Sequence, residues 1–172
     1  MPPLIRAATP ADAAAIARVH VQSWRETYRG LLPDDVLKRM TDGAALERRR
    51  AMWRTLAARP EPVLVAMEGG QVVAFASGGA PQDHPGYDAE LHTLYSLRAA
   101  QGRGSGRALL RGVAGELRAG GAHSLALWVL DANPTRDWYA RQGAREAGEK
   151  QDGALREVRM VWDDLATLLD RD

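Results

Sequence analysis

The stretch Gln101–Leu110, QGRGSGRALL, places three glycines within five residues and then turns into a helix-forming sequence. Glycine inside an element costs about 0.5–1 kcal/mol relative to alanine, so the missing side chains must bring some gain. A strand that ends in glycines and feeds a helix presents free backbone N–H groups and the positive end of the helix dipole. That combination binds phosphate, and bare backbone lets the phosphate approach closely. An anion is therefore expected on Gln101, Gly102, Arg103, Gly104, Ser105, Gly106 and Arg107. The glycines alone also allow a loop without ligand, or a general binder of nucleotides or phosphoanhydrides.

Two familiar phosphate fingerprints fail here. GxGxxG would need a third glycine at Arg107, and GxxxxGK[ST] would need a glycine followed by Lys and Ser or Thr. The pattern that fits is Gln-x-x-Gly-x-Gly, at Gln101, Gly104 and Gly106. Other chemistries are bounded by composition. The chain has no cysteine, which excludes disulfides, cysteine-rich zinc sites and a cysteine nucleophile. His20, His84 and His123 lack metal-ligand partners at sensible spacing, so no metal is expected. A net charge of +1 supplies no basic field for nucleic acid, although arginines cluster at 48–50 and 98–111.

The elements that must position these residues read as follows. LIRA is a short strand, and Thr9 with Pro10 opens a helix. Ala13, Ile16, Ala17, His20, Trp24 and Tyr28 form a one-sided stripe on it. Gly30 breaks that helix. Pro33 and Asp34 open a second, and a third follows Asp42-Gly43 as far as Pro60. Two β-rich runs around Gly69-Gly70 signal a hairpin. Ala89–Leu97 reads as a strand entering the glycine segment, and Leu109, Leu110, Val113 and Leu117 share a face of the helix beyond. Ser124–Leu130 is nearly continuous apolar residue, as in a central strand covered on both faces. Asn133 and Pro134 begin the helix TRDWYARQG, closed by Gly143. Strands around Arg145–Ala147 and Leu155–Trp162 join through Asp152-Gly153.

This order predicts an α/β fold, a mixed sheet with helices packed on it. With 172 residues, 45% apolar and 26% charged, and neither repeat nor linker, one domain over 1–172 is expected. The N-terminus lacks a signal-peptide core and no apolar run approaches a membrane span, so a cytoplasmic protein without membrane partner is expected. The C-terminal VWDDLATLLD reads either as a docking tail or as an exposed end.

The glycine segment, with LHTLYSL before it and RALL after it, resembles the pyrophosphate-binding segment of the GNAT superfamily, the acetyl-CoA-dependent N-acetyltransferases. HVQSWRETYRGLLPDDVL resembles the first-helix region of that family, and NPTRDWYARQG the segment after its fifth strand. The resemblance covers most of the chain. It implies a mostly antiparallel sheet splayed between the fourth and fifth strands, with the pantetheine arm of acetyl-CoA paired to backbone at Leu94, Tyr95 and Ser96. The pyrophosphate would lie on the amides of residues 101–107, and Arg98, Arg103 and Arg107 could add charge-assisted contacts.

The same resemblance implies a general acid at Tyr139, four residues before Gly143. A phenol with an unperturbed pKa near 10 is protonated at neutrality and can donate to a departing thiolate; the other reading of Tyr139 is core packing beside Trp138. Glu90 matches the family's glutamate base, acting directly or through water, and His92 is the alternative. A backbone N–H near Ser96 would polarise the thioester carbonyl. Trp24 and Tyr28, one turn apart, could wall a site for an amine, or simply pack helices on the sheet. The implied reaction is direct transfer of acetyl to a primary amine of a small molecule or peptide, with a non-catalytic acyl-CoA-binding module as the alternative; family members are often homodimers. Three departures stand out. Asn133 precedes Tyr139 by six residues where the family commonly has seven, Ser96 stands in place of valine, and Ala144 stands in place of an aromatic.

Overall fold

The computed structural model describes residues 2–171. Chain order is β1 (Leu4–Ala7), α1 (Ala13–Tyr28), α2 (Asp34–Thr41), α3 (Gly43–Leu56), β2 (Val63–Glu68), β3 (Gln71–Gly79), β4 (Ala89–Ser96), α4 (Ser105–Ala119), β5 (Leu125–Leu130), α5 (Thr135–Arg141), β6 (Arg145–Asp152), β7 (Leu155–Trp162) and α6 (Leu165–Leu169). Thr9 and Pro10 open a separate 3-10 turn, Pro10–Asp12, rather than α1 itself. The Asp12 carboxylate accepts from Thr9 N–H at 2.8 Å and closes that turn, so α1 starts three residues later than Pro10 suggests.

The strands form one open sheet in the order β1-β2-β3-β4-β5-β7-β6. Every neighbouring pair is antiparallel except β4 and β5, which run parallel. That junction is the singular feature. β4 and β5 pair only at Ala89↔Leu125 and Glu90↔Ala126 and then diverge, whereas β5 and β7 stay paired from Leu125↔Trp162 to Leu130↔Glu157. The sheet is thus open as a wedge beyond Glu90, with β4 as one wall and β5 as the other.

Helices cover both faces. Leu109, Leu110 and Val113 of α4 are buried against Leu64, Ala76 and Leu125 of the sheet. On the opposite face, Ile16 and Ala17 of α1 and Trp53 of α3 pack on Val65 and Phe75. The segment VWDDLATLLD is no free tail: Leu165 and Leu168 of α6 are buried in the chain's own core. No helix among the described residues is long and apolar enough to cross a membrane.

Candidate functional site

The wedge between β4 and β5 opens into a cleft of about 720 Å3. Its lining comes from α1, the segment around α2, β4, the start of α4, β5, the start of α5, and β7. Leu94, Tyr95, Ser96, Gln101, Gly102, Gly104, Ser105, Gly106, Arg107, Asn133, Tyr139, Trp24 and Tyr28 all face it. Glu90, Arg98 and Arg103, also singled out in the sequence, do not line it.

One end is built from backbone. Gly102 and Gly104 adopt φ of +79° and +88°, the left-handed region that glycine enters freely. Their conformations turn the chain so that the N–H groups from Gly102 to Arg107 have no partner among the described residues; the first intrahelical bond of α4 is Ala108 N–H to Gly104 O, at 3.0 Å. These are the unpaired donors of a helix start, together with its positive dipole end. A Cβ at Gly102 or Gly104 would meet nothing within 4 Å, so the site is open in front of the backbone. Gly106 is different: it is helical, and a Cβ there would meet the Trp138 ring at 3.4 Å.

The arginines part company. Arg107 lines the cleft and donates to the backbone oxygen of Arg171 at 3.3 Å. Arg103 instead pairs with Glu68 at 2.8 Å, and Arg98 donates to Glu26 O. Arg141, one turn beyond Tyr139's neighbour Trp138, also lines the cleft; it lies within NPTRDWYARQG but had no role assigned to it there.

Along β4 the ladder fixes which backbone groups face the gap. Leu97 N–H donates to Val73 O at 3.0 Å. By the alternation of an antiparallel pair, Leu94 and Ser96 therefore point their N–H and C=O away from β3 and into the wedge. Tyr95, whose backbone faces β3 by the same alternation, reaches the cleft through its phenol.

Tyr139 is buried between Trp138 and Trp162, with ring centroids at 5.2 and 6.2 Å. Burial, assisted by the neighbouring phenols of Tyr95 and Tyr28, pushes its hydroxyl far above the ordinary tyrosine value. The group is a neutral O–H at any physiological pH. Tyr28 is raised as well, chiefly by burial, and its hydroxyl accepts from Asn133 Nδ2 at 3.3 Å. Asn133 also accepts Thr135 N–H at 3.0 Å, so both ends of this buried amide are engaged within the protein while it borders the cleft.

Glu90 sits behind the lining. Its carboxylate accepts Gln82 N–H at 2.7 Å and lies 3.5 Å from His84 Nε2 and 3.9 Å from His92 Nε2. Burial lowers the His84 pKa, against the pull of Glu90. His92 does line the cleft, and its Nε2 is 2.9 Å from Ala80 O. A carbonyl can only accept, so Nε2 carries a hydrogen, and in the neutral ring the lone pair is on Nδ1.

The other end of the cleft is made of side chains. Trp24 and Tyr28 pack at 4.7 Å between centroids, with Arg49 over the Trp24 ring at 5.1 Å. Leu32, Met40, Trp128 and Glu157 complete it; none of these four stood out in the sequence, because they lie far apart along the chain and carry no chemical signal of their own. The indole N–H groups of Trp24 and Trp128 are buried without a partner among the described residues.

Comparison with known proteins agrees with this geometry. The Acetyltransferase (GNAT) family model matches residues 21–144. The chain is 35% identical over 170 residues, 95% of either chain, to the uncharacterized N-acetyltransferase YuaI of Bacillus subtilis (strain 168). The fold is similar to that of PaiA N-acetyltransferase from Thermoplasma acidophilum in complex with coenzyme A, at a TM-score of 0.71 and 18% identity over 94% of this chain and 100% of that one. It is also similar to YncA from Salmonella typhimurium with its cofactor acetyl-CoA, at a TM-score of 0.71 and 25% identity over 96% and 95% of the two chains. A seven-stranded sheet splayed at its parallel junction, the matched family model and the curated relative together make this chain a member of the GNAT acetyltransferase family.

Proposed function

We propose that the protein transfers acetyl from acetyl-CoA directly to a primary amine, with both substrates held in the β4–β5 wedge. The observation that carries this reading is the convergence of unpaired α4 amides, outward-facing β4 backbone and the Tyr139 phenol on one cleft. The amides of residues 102–107 hold the diphosphate, joined by Arg107; the Gln101 N–H is taken by Arg98 O at 3.2 Å. Leu94 and Ser96 pair with the pantetheine amides as an added strand would. YncA, with its bound acetyl-CoA, supports this choice of donor.

An ammonium is no nucleophile, so the acceptor must first lose a proton. His92 Nδ1 takes it, and the Glu90 carboxylate behind the ring stabilises the imidazolium. The free amine then attacks the thioester carbon, while Ser96 N–H receives the charge that develops on the carbonyl oxygen. As the C–S bond breaks, Tyr139 donates its proton to the departing sulfur. The second proton shed by the nitrogen restores the phenol. With no cysteine in the chain, transfer through a cysteine acyl-enzyme has no nucleophile.

The test is a panel of amino acids, alkylamines, polyamines, aminoglycosides and peptides incubated with acetyl-CoA, reading release of free thiol. Release with at least one amine, and a pH–rate profile whose acidic limb shifts in Glu90→Gln, is the expected result. Acetyl-CoA binding with silence across the panel would favour the acyl-CoA-binding module.

A further inference from the structure

We propose that Trp128 and Glu157 form a cation subsite at the acceptor end of the cleft, and that the acceptor is a primary amine carrying a second positive charge. The inference rests on the acetyl-transfer reading above and names the substrate class of that site.

The cleft is electrically lopsided. Its only carboxylate among the described lining residues is Glu157, and its guanidinium groups, Arg107 and Arg141, border the segments around α4 and α5. A dianionic diphosphate suits the second region and a cation suits the first. Glu157 is half-buried on β7, paired across to Leu130 on β5 and Lys150 on β6. Its charge reaches inward, where it adds to the raised pKa of both Tyr28 and Tyr95. Trp128 lies beside it on the same face of the sheet, one strand over.

The protein's own side chains show what this corner holds. Lys150 Nζ and the Arg159 guanidinium each sit 4.4 Å from the centroid of the Trp128 ring, and Lys150 Nζ alone is also 3.5 Å from Glu157. An ammonium over an indole face and beside a carboxylate is the arrangement that recognises alkylammonium ions. Lys150 is over a third exposed, at the rim on the edge strand β6, so a substrate cation can displace it toward solvent. Lys150 thereby acts as an internal competitor that a singly charged amine has no means to replace. A dication does: one nitrogen faces the thioester as the free base, while the other keeps its proton on Glu157.

The experiment compares 1,4-diaminobutane with n-butylamine as acceptors, and measures diamine binding separately by calorimetry in the presence of coenzyme A. The expected result is a kcat/KM at least tenfold higher for the diamine. Glu157→Gln should bring the diamine down to the alkylamine level, mainly through KM, and Lys150→Met should raise diamine kcat/KM by removing the competitor. Equal use of the two amines, or a diamine preference untouched in Glu157→Gln, would overturn the subsite. Diamine binding that depends on Glu157 without any acetyl release would leave the subsite standing and sink the transfer reading. Absence of both binding and transfer would overturn the two together.

Discussion

The two ends of the cleft are made in different ways. The α4 end is backbone: six consecutive residues, Gly102 to Arg107, whose amides two left-handed glycines leave without a partner among the described residues. The α1–β7 end is side chain: Trp24, Tyr28, Trp128 and Glu157 arrive from three elements up to 133 positions apart, and their neighbours fix their poses. A backbone site recognises what all reactions of a family share and tolerates change in its side chains. A side-chain site is where specificity is set, because one substitution rewrites its chemistry.

The comparison is most exposed to breakage at Gly104. Valine is a steric outlier at φ +88°, so Gly104→Val must shift the loop and misalign the amides. Acetyl-CoA affinity, by calorimetry, should fall about a hundredfold or more, an effect on the scale of losing several charge-assisted hydrogen bonds at about 1.5–3 kcal/mol each. Unchanged affinity would show that the loop is not the cradle. Gly106→Ala is the control on the same segment: its Cβ would make an ordinary contact with Trp138, and binding should survive.

Tyr139 stands between the two ends. Tyr139→Phe keeps the ring between Trp138 and Trp162 and removes only the proton. It should lower kcat by about one to three orders of magnitude, the range of general-acid assistance, and leave acetyl-CoA affinity in place. An unaltered kcat would reduce Tyr139 to packing.

The last effect is on stability rather than on binding or turnover, and concerns what supports the side-chain end. His20 stacks on Tyr95 at 5.0 Å between centroids and accepts from the Trp53 indole at 3.1 Å. Burial first, then the Arg49 charge, lowers its pKa to about 3. The folded protein therefore keeps His20 neutral where the unfolded chain would protonate it. Stability from this group is complete above the ordinary value near 6.5 and drains as pH falls toward 3, by at most about 4–5 kcal/mol at 1.36 kcal/mol per unit. Melting curves across that window should show the loss, and His20→Gln should flatten it. A variant as acid-sensitive as the parent would assign the loss to other groups.

The same division decides what could be read from the sequence. Gln101–Arg107 was legible because its signal is local: glycine spacing, a strand before and a helix after. Tyr139 and Asn133 were legible through a cap, a closing glycine and the resemblance those made possible. The bond from Asn133 to Tyr28 was not, since it joins residues 105 positions apart. Glu90 was found as a strand-start carboxylate, yet its placement behind His92 depends on Gln82 and His84 in a loop without regular pattern. The splay was supplied by resemblance alone, because nothing in ELHTLYSL or LALWVL distinguishes strands that part after two residue pairs. Glu157 reads as an ordinary polar strand position, and Lys150 falls beyond the strand expected around Arg145–Ala147; only β6, running on to Asp152, lays it beside Trp128 and Glu157.

The most direct test is a crystal structure of the protein with coenzyme A. Phosphate oxygens within hydrogen-bond distance of the amides of residues 102–107, and the thiol beside the Tyr139 hydroxyl, are the predicted result. A coenzyme that lies elsewhere, or whose sulfur points away from that phenol, would contradict the account.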